Sequence, residues 1–468
     1  MADYPVAENS VAIFGALPDW NLPAAIYPEQ GFSIDAASSA GADSQPERLQ
    51  DGKMTSWWRS TSGFRRLATV DGFSLDAAGQ PVGAIGLGGC SLTPNGKVRY
   101  RMRWDGDDIP SRTRLAPNAV VTQTNVTGSL SDVTDDPGSP GGTHMVVSGG
   151  GSILELGWAT PSAFEQVVEG CHSFRVRIQN TGSAAISLLS AKLRQSSVDR
   201  AQLLADRDGN TKFLNIPAGA DVIVELPFSP SSLSNPDGSS MTLKLELQAA
   251  TGGESRYRAV DLHYEQTLPS TDYYDSGLRW AWTTEILGLV SGSAMRGLHP
   301  TETWGAARTH AHAVAVDGVY TTIAGVQRVR IELHDPWADY VQAALALWGP
   351  AVGVRLRPEL TFGSAGRQVV ATTAAGNQVW AYRRGRIRGT APCLLSREDG
   401  DYLLRFLSGR KAGYPFLYIP EPAGERYFHT RPHVVTTGEG DPPELALHAR
   451  NGSGGIWTLG SIGLQEYW

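Results

Sequence analysis

The densest cluster of side chains able to do chemistry is Asp51-Gly52 followed by Ser56-Trp57-Trp58-Arg59-Ser60. An indole face beside a carboxylate and a guanidinium is the chemistry of sugar recognition. Trp57 or Trp58 would stack on the sugar ring, and Asp51 and Arg59 would hydrogen-bond its hydroxyls. The plainer alternative is structural. Asp-Gly shapes a turn, and a Trp carries one of the largest apolar burials a side chain can supply. One of the two indoles would then plug the end of a β-sandwich.

A second cluster is His310-Ala311-His312, with His299, Asp317 and His334 near it in sequence. Residues i and i+2 of a strand share a face, so the two imidazoles could begin a zinc site. Zinc needs at least three convergent protein ligands, and the spacing fixes no third one. No metal and no cofactor is expected. Nor does a nucleophile stand out. There is no GxSxG, and Cys171 and His172 are strand neighbours that point to opposite faces. No pair of carboxylates can be singled out for glycoside chemistry. Gly86-Leu87-Gly88-Gly89 is not followed by a helix that could hold a phosphate. Asn125-Val126-Thr127 and Asn451-Gly452-Ser453 match glycosylation acceptors, as short patterns do by chance. The expectation is a protein that is not an enzyme.

The elements that would position these residues are strands. Val98-Arg99-Tyr100-Arg101-Met102-Arg103-Trp104, Phe174-Arg175-Val176-Arg177-Ile178, Thr242-Leu243-Lys244-Leu245-Glu246-Leu247 and Val329-Arg330-Ile331-Glu332-Leu333 all alternate with period two. Such alternation predicts one face on a core and the other in water. Val222-Ile223-Val224-Glu225-Leu226 is more continuously apolar and predicts a strand buried on both faces. Turn clusters separate these runs, for example Asp208-Gly209-Asn210 and Asn235-Pro236-Asp237-Gly238. Short strands punctuated in this way predict β-sandwiches. One helix is expected after Ser396-Arg397-Glu398-Asp399, over Tyr402-Leu403-Leu404-Arg405-Phe406-Leu407. Propensity alone would also make Asp339–Gly349 helical.

Composition bounds the rest. A chain of 468 residues predicts about three domains. With 41% hydrophobic residues it can pack a core, and 53 Gly with 28 Pro is rich in turns without reaching the disordered range. A net charge of −7 with no strongly basic half disfavours nucleic acid as the main partner. No apolar run is long enough for a membrane span. The N-terminus, Met1-Ala2-Asp3-Tyr4-Pro5, lacks the pattern of a secretory leader. Cys90, Cys171 and Cys393 are three and far apart, which predicts no disulfide framework and a reducing compartment.

Several segments, in order, resemble the tail-tip (distal tail or baseplate) structural proteins of bacteriophages that carry a discoidin-like, galactose-binding-like β-sandwich. The first is Glu47-Arg48-Leu49-Gln50-Asp51-Gly52 with Thr55-Ser56-Trp57-Trp58-Arg59-Ser60. The second is the strand and turn Val82 to Thr93, where Gly89-Cys90-Ser91 replaces the family's usual His-Asn. Then come Val98 to Trp104, Tyr274-Asp275-Ser276-Gly277, Val329 to Asp335 and Tyr340 to Pro350. The last resembles the family's closing strand, so a strand is expected there against propensity. Arg383 to Gly389, Gly413 to Pro420 and Gly455 to Glu466 resemble the C-terminal part of tail-ring proteins.

The resemblance implies a mainly β, multi-domain fold: a discoidin-like jelly roll with an inserted second β-sandwich, plus a C-terminal β-rich domain with one helix. The expected boundaries are 1–110 for the first part of the discoidin-like sandwich, 111–270 for the insert, 271–356 for the second part and 357–468 for the tail-ring-like domain. It implies a structural subunit of a virion tail tip, made in the host cytoplasm and assembled as a homo-oligomeric ring. Its partners would be tail tube, tape measure and baseplate hub proteins. The alternative is a virion protein that binds host surface glycan through Asp51, Trp57, Trp58 and Arg59.

Overall fold

The computed structural model describes residues 10–14, 32–34, 46–49, 56–60, 64–65, 68–73, 79–82, 84–90, 92–93, 95–104, 109, 112–134, 143–148, 150–160, 172–206, 208–234, 240–249, 252–265, 273–280, 310–315, 323–338, 341–349, 351–356, 361–372, 378–395, 415–419, 433–437, 445–451 and 454–466. Strands dominate them, and the fold class is mainly β. The helix expected near 402–407 lies outside these residues, as does Asp51.

The alternating run that begins at Val98 forms the strand Lys97–Arg103, set between Arg328–His334 and Tyr273–Asp275 in one sheet. Ala68–Phe73 and Phe32–Ile34 complete that sheet, with antiparallel pairing throughout. Register places Ile331 opposite Tyr100 and Leu333 opposite Val98, so the apolar sets of both strands share a face. A three-stranded sheet of His310–Ala315, Ala84–Cys90 and Leu345–Gly349 belongs to the same unit. Its core includes Val70, Ile85, Leu87, Tyr100, Met102, Ile331 and Trp348. The segment 345–349 is a strand because Ala84–Cys90 offers it a ladder, and pairing overrides its helix propensity. Gly72 makes room for Trp348: a Cβ there would meet the indole at 2.4 Å. Strands of this unit run up to residue 103 and resume at 273.

The chain between those points builds a second sandwich. One sheet orders Ala119–Thr124, Gly151–Ala159, Ser240–Gln248, Ile186–Gln195 and Val198–Gln202. The other orders Val126–Thr127, Met145–Val147, Ser255–Tyr264, His172–Asn180 and Asp221–Phe228. Leu154, Leu156, Phe174, Val176, Val224, Leu243, Leu245 and Leu262 pack between them. Phe174 stacks on Phe228 with ring centroids 4.9 Å apart and tilts against Trp158 at the same distance. Here alternation holds in its simple form: Leu243, Leu245 and Leu247 are buried, and Lys244 and Glu246 are partly exposed.

The C-terminal strands close on themselves. Ser10–Phe14 pairs with Ala351–Leu356 on one side and Phe416–Ile419 on the other. The circuit continues through His433–Thr437, Gly454–Glu466 and Gln378–Leu395 back to Ala351–Leu356. Closure satisfies the backbone groups that open edges would expose. Thr361–Thr372 pairs with Gln378–Leu395 as a long hairpin.

Candidate functional site

Alternation predicts that Arg99, Arg101 and Arg103 face water. The structure corrects this: all three are buried, Arg99 and Arg101 to 1% exposure. The physical reason is a second layer. The outer face of their sheet meets the outer face of the sheet that carries Ser173, Arg175, Glu225 and His263 in the second sandwich. Buried arginines are tolerable where carboxylates and hydrogen bonds replace lost water.

The replacements are specific. Glu332 lies directly opposite Arg99 in the ladder. Arg99 donates from Nη1 to Glu332 at 3.3 Å, from Nη2 to Glu265 at 3.0 Å and from Nε to Asp275 at 2.8 Å. Arg101 donates to Glu265 at 3.1 Å and also to Glu332. Arg112 and Glu265 stand where the chain enters and leaves the second sandwich. Arg112 reaches Glu225 and the Ser173 hydroxyl, each at 2.7 Å, Glu265 at 3.4 Å and Glu332 at 3.7 Å. One guanidinium therefore joins carboxylates from both sandwiches. Arg175 donates to the other oxygen of Glu225 at 2.7 Å, which explains a glutamate inside the apolar run 222–226.

Three further contacts cross the same boundary. His334 Nε2 lies 2.9 Å from the Glu225 carbonyl oxygen. The Trp337 indole packs against the core of the second sandwich, with Lys212 Nζ 5.0 Å from its ring centroid. Phe64–Arg65 adds a parallel strand to Asp221–Phe228.

Charge states follow from these surroundings. Burial alone would push the Glu225 carboxyl up. Arg175 and Arg112, helped by His263 and Ser173, outweigh it and hold Glu225 at about 2. Arg101, Arg99 and Arg112 likewise hold Glu332 well below the usual carboxylate range against its burial. Histidines respond in the opposite direction. Burial, then Arg112 and Arg99, bring His172 down to about 3. Burial and Arg175 bring His263 to about 3, against the pull of Glu225. Burial brings His334 to about 4 despite its Glu225 contact. At neutral pH Glu225 and Glu332 are therefore ionised, and His172, His263 and His334 are neutral.

The Trp cluster divides. Trp58 is fully buried in the first core, on the short strand Trp58–Arg59 that pairs with Gln342–Ala343. It offers no face to a sugar in solution, because the core covers it. Trp57 is 37% exposed. Arg59 donates to Gln342 at 3.0 Å. Ser60 anchors the segment, its N–H donating to the Val341 carbonyl at 2.8 Å and its hydroxyl accepting from the Val341 N–H at 2.9 Å. His310 and His312 lie on one strand, two residues apart and beside a register shift. His334 belongs to the charged joint instead. His299 and Asp317 lie outside the described residues. Among the described residues no three His, Cys, Asp or Glu side chains gather as metal ligands would, and no helix is long and apolar enough to cross a membrane. Cys90 is buried, which pushes its thiol up to about 12 and makes it a poor nucleophile.

Sequence reasoning missed the joint. Its legible signal was Arg at 99, 101 and 103 on one face, with Glu332 on another alternating strand. Nothing local marks Arg112, Glu225, Glu265 or Asp275 as their partners.

No protein-family profile matches the chain, and no curated protein matches it. Solved structures show weak likeness. The CBM36-1 domain of a multidomain xylanase from the hindgut metagenome of Trinervitermes trinervoides is 9% identical, covering 36% of this chain and 99% of that one, with a TM-score of 0.18. A carbohydrate-binding module of the β-sandwich superfamily is 13% identical over 44% of this chain and 96% of that one, with a TM-score of 0.17. The infectious bursal disease virus Gx strain structure is 11% identical over 79% of this chain and 86% of that one, also with a TM-score of 0.17. TM-scores of this size carry no argument about function. The β-sandwich architecture rests on the strands and their pairing.

Proposed function

We propose that this chain is a structural subunit of the tail tip of a long-tailed bacteriophage, assembled with its own copies and with tail proteins. The observation that carries this reading is the charged joint. It fixes two sandwiches as one block by an Arg–Glu layer, a shared strand and the Trp337 anchor. A subunit that transmits load between neighbours needs domains that do not swing, and a buried Arg–Glu layer opposes such motion because separating its partners leaves charges uncompensated. The ordered resemblance to tail-tip proteins supports the same reading. So does the burial of Trp58, which removes half of the aromatic platform that a glycan site would use. Assembly requires no catalytic group.

Light scattering of the purified chain, alone and with tail-tube protein, tests this. A closed oligomer or a stoichiometric complex is expected. A monomer indifferent to tail proteins overturns it.

A second reading keeps glycan recognition, favoured by Trp57, whose indole is partly exposed next to Arg59. A glycan array decides it: a bound sugar that is lost in Trp57→Ala supports it, and an array with no hit overturns it.

A further inference from the structure

We infer that the strand Ala119–Thr124 is the surface through which two copies of this chain meet, each laying its free edge antiparallel along the other's. Such pairing rests on the chain being a subunit that assembles with its own copies, as proposed above, and names where they join. The strand is the last of its sheet and pairs on one side, with Gly151–Ala159. Among the described residues no strand pairs with its other side. Ala119, Val121, Thr122, Gln123 and Thr124 are exposed, Val121 to 53%. An uncovered edge offers a row of backbone N–H and C=O groups to any chain that can lie along it.

The other edges of this sandwich are blunted. On its far side the same sheet ends in Val198–Gln202 and Leu214–Ile216. The first carries Asp199 and Arg200, and Lys192 and Arg194 each donate to Asp199 at 2.8 Å. The second is three residues long and runs into Pro217. The facing sheet ends in Val126–Thr127, Thr113–Leu115 and Phe64–Arg65, which are shorter still or no longer. Short or charged edges resist pairing with another chain. Ala119–Thr124 has six residues, no charge and no proline, and no charged residue occurs from Leu115 to Ser131. Its one protective device is a bulge, where the register shifts between Val120 and Thr122, and the residue there is an exposed valine rather than a lysine. Past the bulge, Thr122, Gln123 and Thr124 pair in step with Glu155, Leu154 and Ile153. The absence of charge points to the occupant. A twofold contact sets a strand against itself, so a charged side chain on it would face its own kind at close range, which is destabilising. This strand meets no such penalty. A single edge pair buries less than the roughly 1,200–2,000 Å² of a stable interface, so the contact is reversible.

Sedimentation velocity of the full chain across the micromolar range, combined with hydrogen–deuterium exchange, tests the pairing. The unaltered chain is expected to associate as concentration rises. Amides of Ala119–Thr124 should gain protection in step, and those of Val198–Gln202 should not change. Thr122→Lys/Thr124→Lys sets like charges across the joint and is expected to weaken association about tenfold. Thr122→Glu/Thr124→Glu should do the same, and an equimolar mixture of the two variants should restore association. Association that neither variant weakens, or a mixture that stays as weak as its components, overturns this edge and leaves assembly through another surface standing. A chain that is monomeric at every concentration, yet forms a stoichiometric complex with tail-tube protein, overturns the pairing and spares the tail-tip assignment. A monomer indifferent to tail proteins overturns both. Should a variant lose its near-ultraviolet signal, exchange in the unaltered chain decides: protection of Ala119–Thr124 that does not grow with concentration overturns the pairing.

Discussion

Arg112 Nη1 lies 2.7 Å from Glu225 Oε1, and the same guanidinium lies 3.7 Å from Glu332 of the other sandwich. The pairing makes a charged layer serve as a domain interface. Ionic layers of this kind contribute little net stability, because desolvation consumes most of the Coulomb gain. They penalise every arrangement in which one partner is missing, and so they select one relative placement of two domains.

Removing one partner is therefore the informative test. Arg112→Ala leaves Glu225 and Glu332 buried with less compensation and is expected to cost about 3–5 kcal/mol, measured by urea unfolding. Adding Glu225→Gln should restore part of that loss, giving a double-mutant cycle that departs from additivity. Additive losses would mean that the pair does not act as a unit.

Acid should act on the carboxylates separately from the histidines. Glu225 is held at about 2, so its contribution is present above about pH 4.5 and is lost as pH falls through about 2. A shift of this size is worth roughly 3 kcal/mol. Unfolding free energy followed between pH 6 and pH 2.5 should fall steeply below about 4.5, and Glu225→Gln should flatten that limb from a lower plateau.

The neighbouring indoles should separate under mutation. Trp58→Ala empties a fully buried site and is expected to cost about 3–5 kcal/mol. Trp57→Ala removes a partly exposed side chain and should cost under about 1 kcal/mol. Equal effects in thermal unfolding would contradict this placement.

Gly72 should resist any side chain. A Cβ there collides with the Trp348 ring, so Gly72→Ala is expected to lose about 1–3 kcal/mol. Pairing it with Trp348→Leu should recover part of the loss in the same denaturation assay.

Deleting residues 1–14 removes the strand Ser10–Phe14 from between Ala351–Leu356 and Phe416–Ile419. Two edges then open in the C-terminal circuit, and open edges aggregate. Sedimentation should show association of the shortened chain, with the near-ultraviolet signal of the two sandwiches retained.

Sequence alone determined the class of structure. Period-two alternation at 98–104, 242–247 and 329–333 made these segments strands, because an apolar stripe of that period has no other way to reach a core. It also decided which face of each strand holds that core: Tyr100, Ile331 and Leu245 are where the pattern puts them. What alternation could not decide is what covers the opposite face. Arg99 and Lys244 occupy equivalent positions in similar patterns, yet the first is buried and the second is partly exposed. The difference lies in Glu225, Glu265, Asp275 and Glu332, which come from elements far apart in the chain. Trp57 and Trp58, identical in type and adjacent in sequence, were separated in the same way. A local pattern encodes a strand and its two faces, whereas burial of a charge or an indole depends on which distant residues arrive beside it, and only the tertiary structure brings them there.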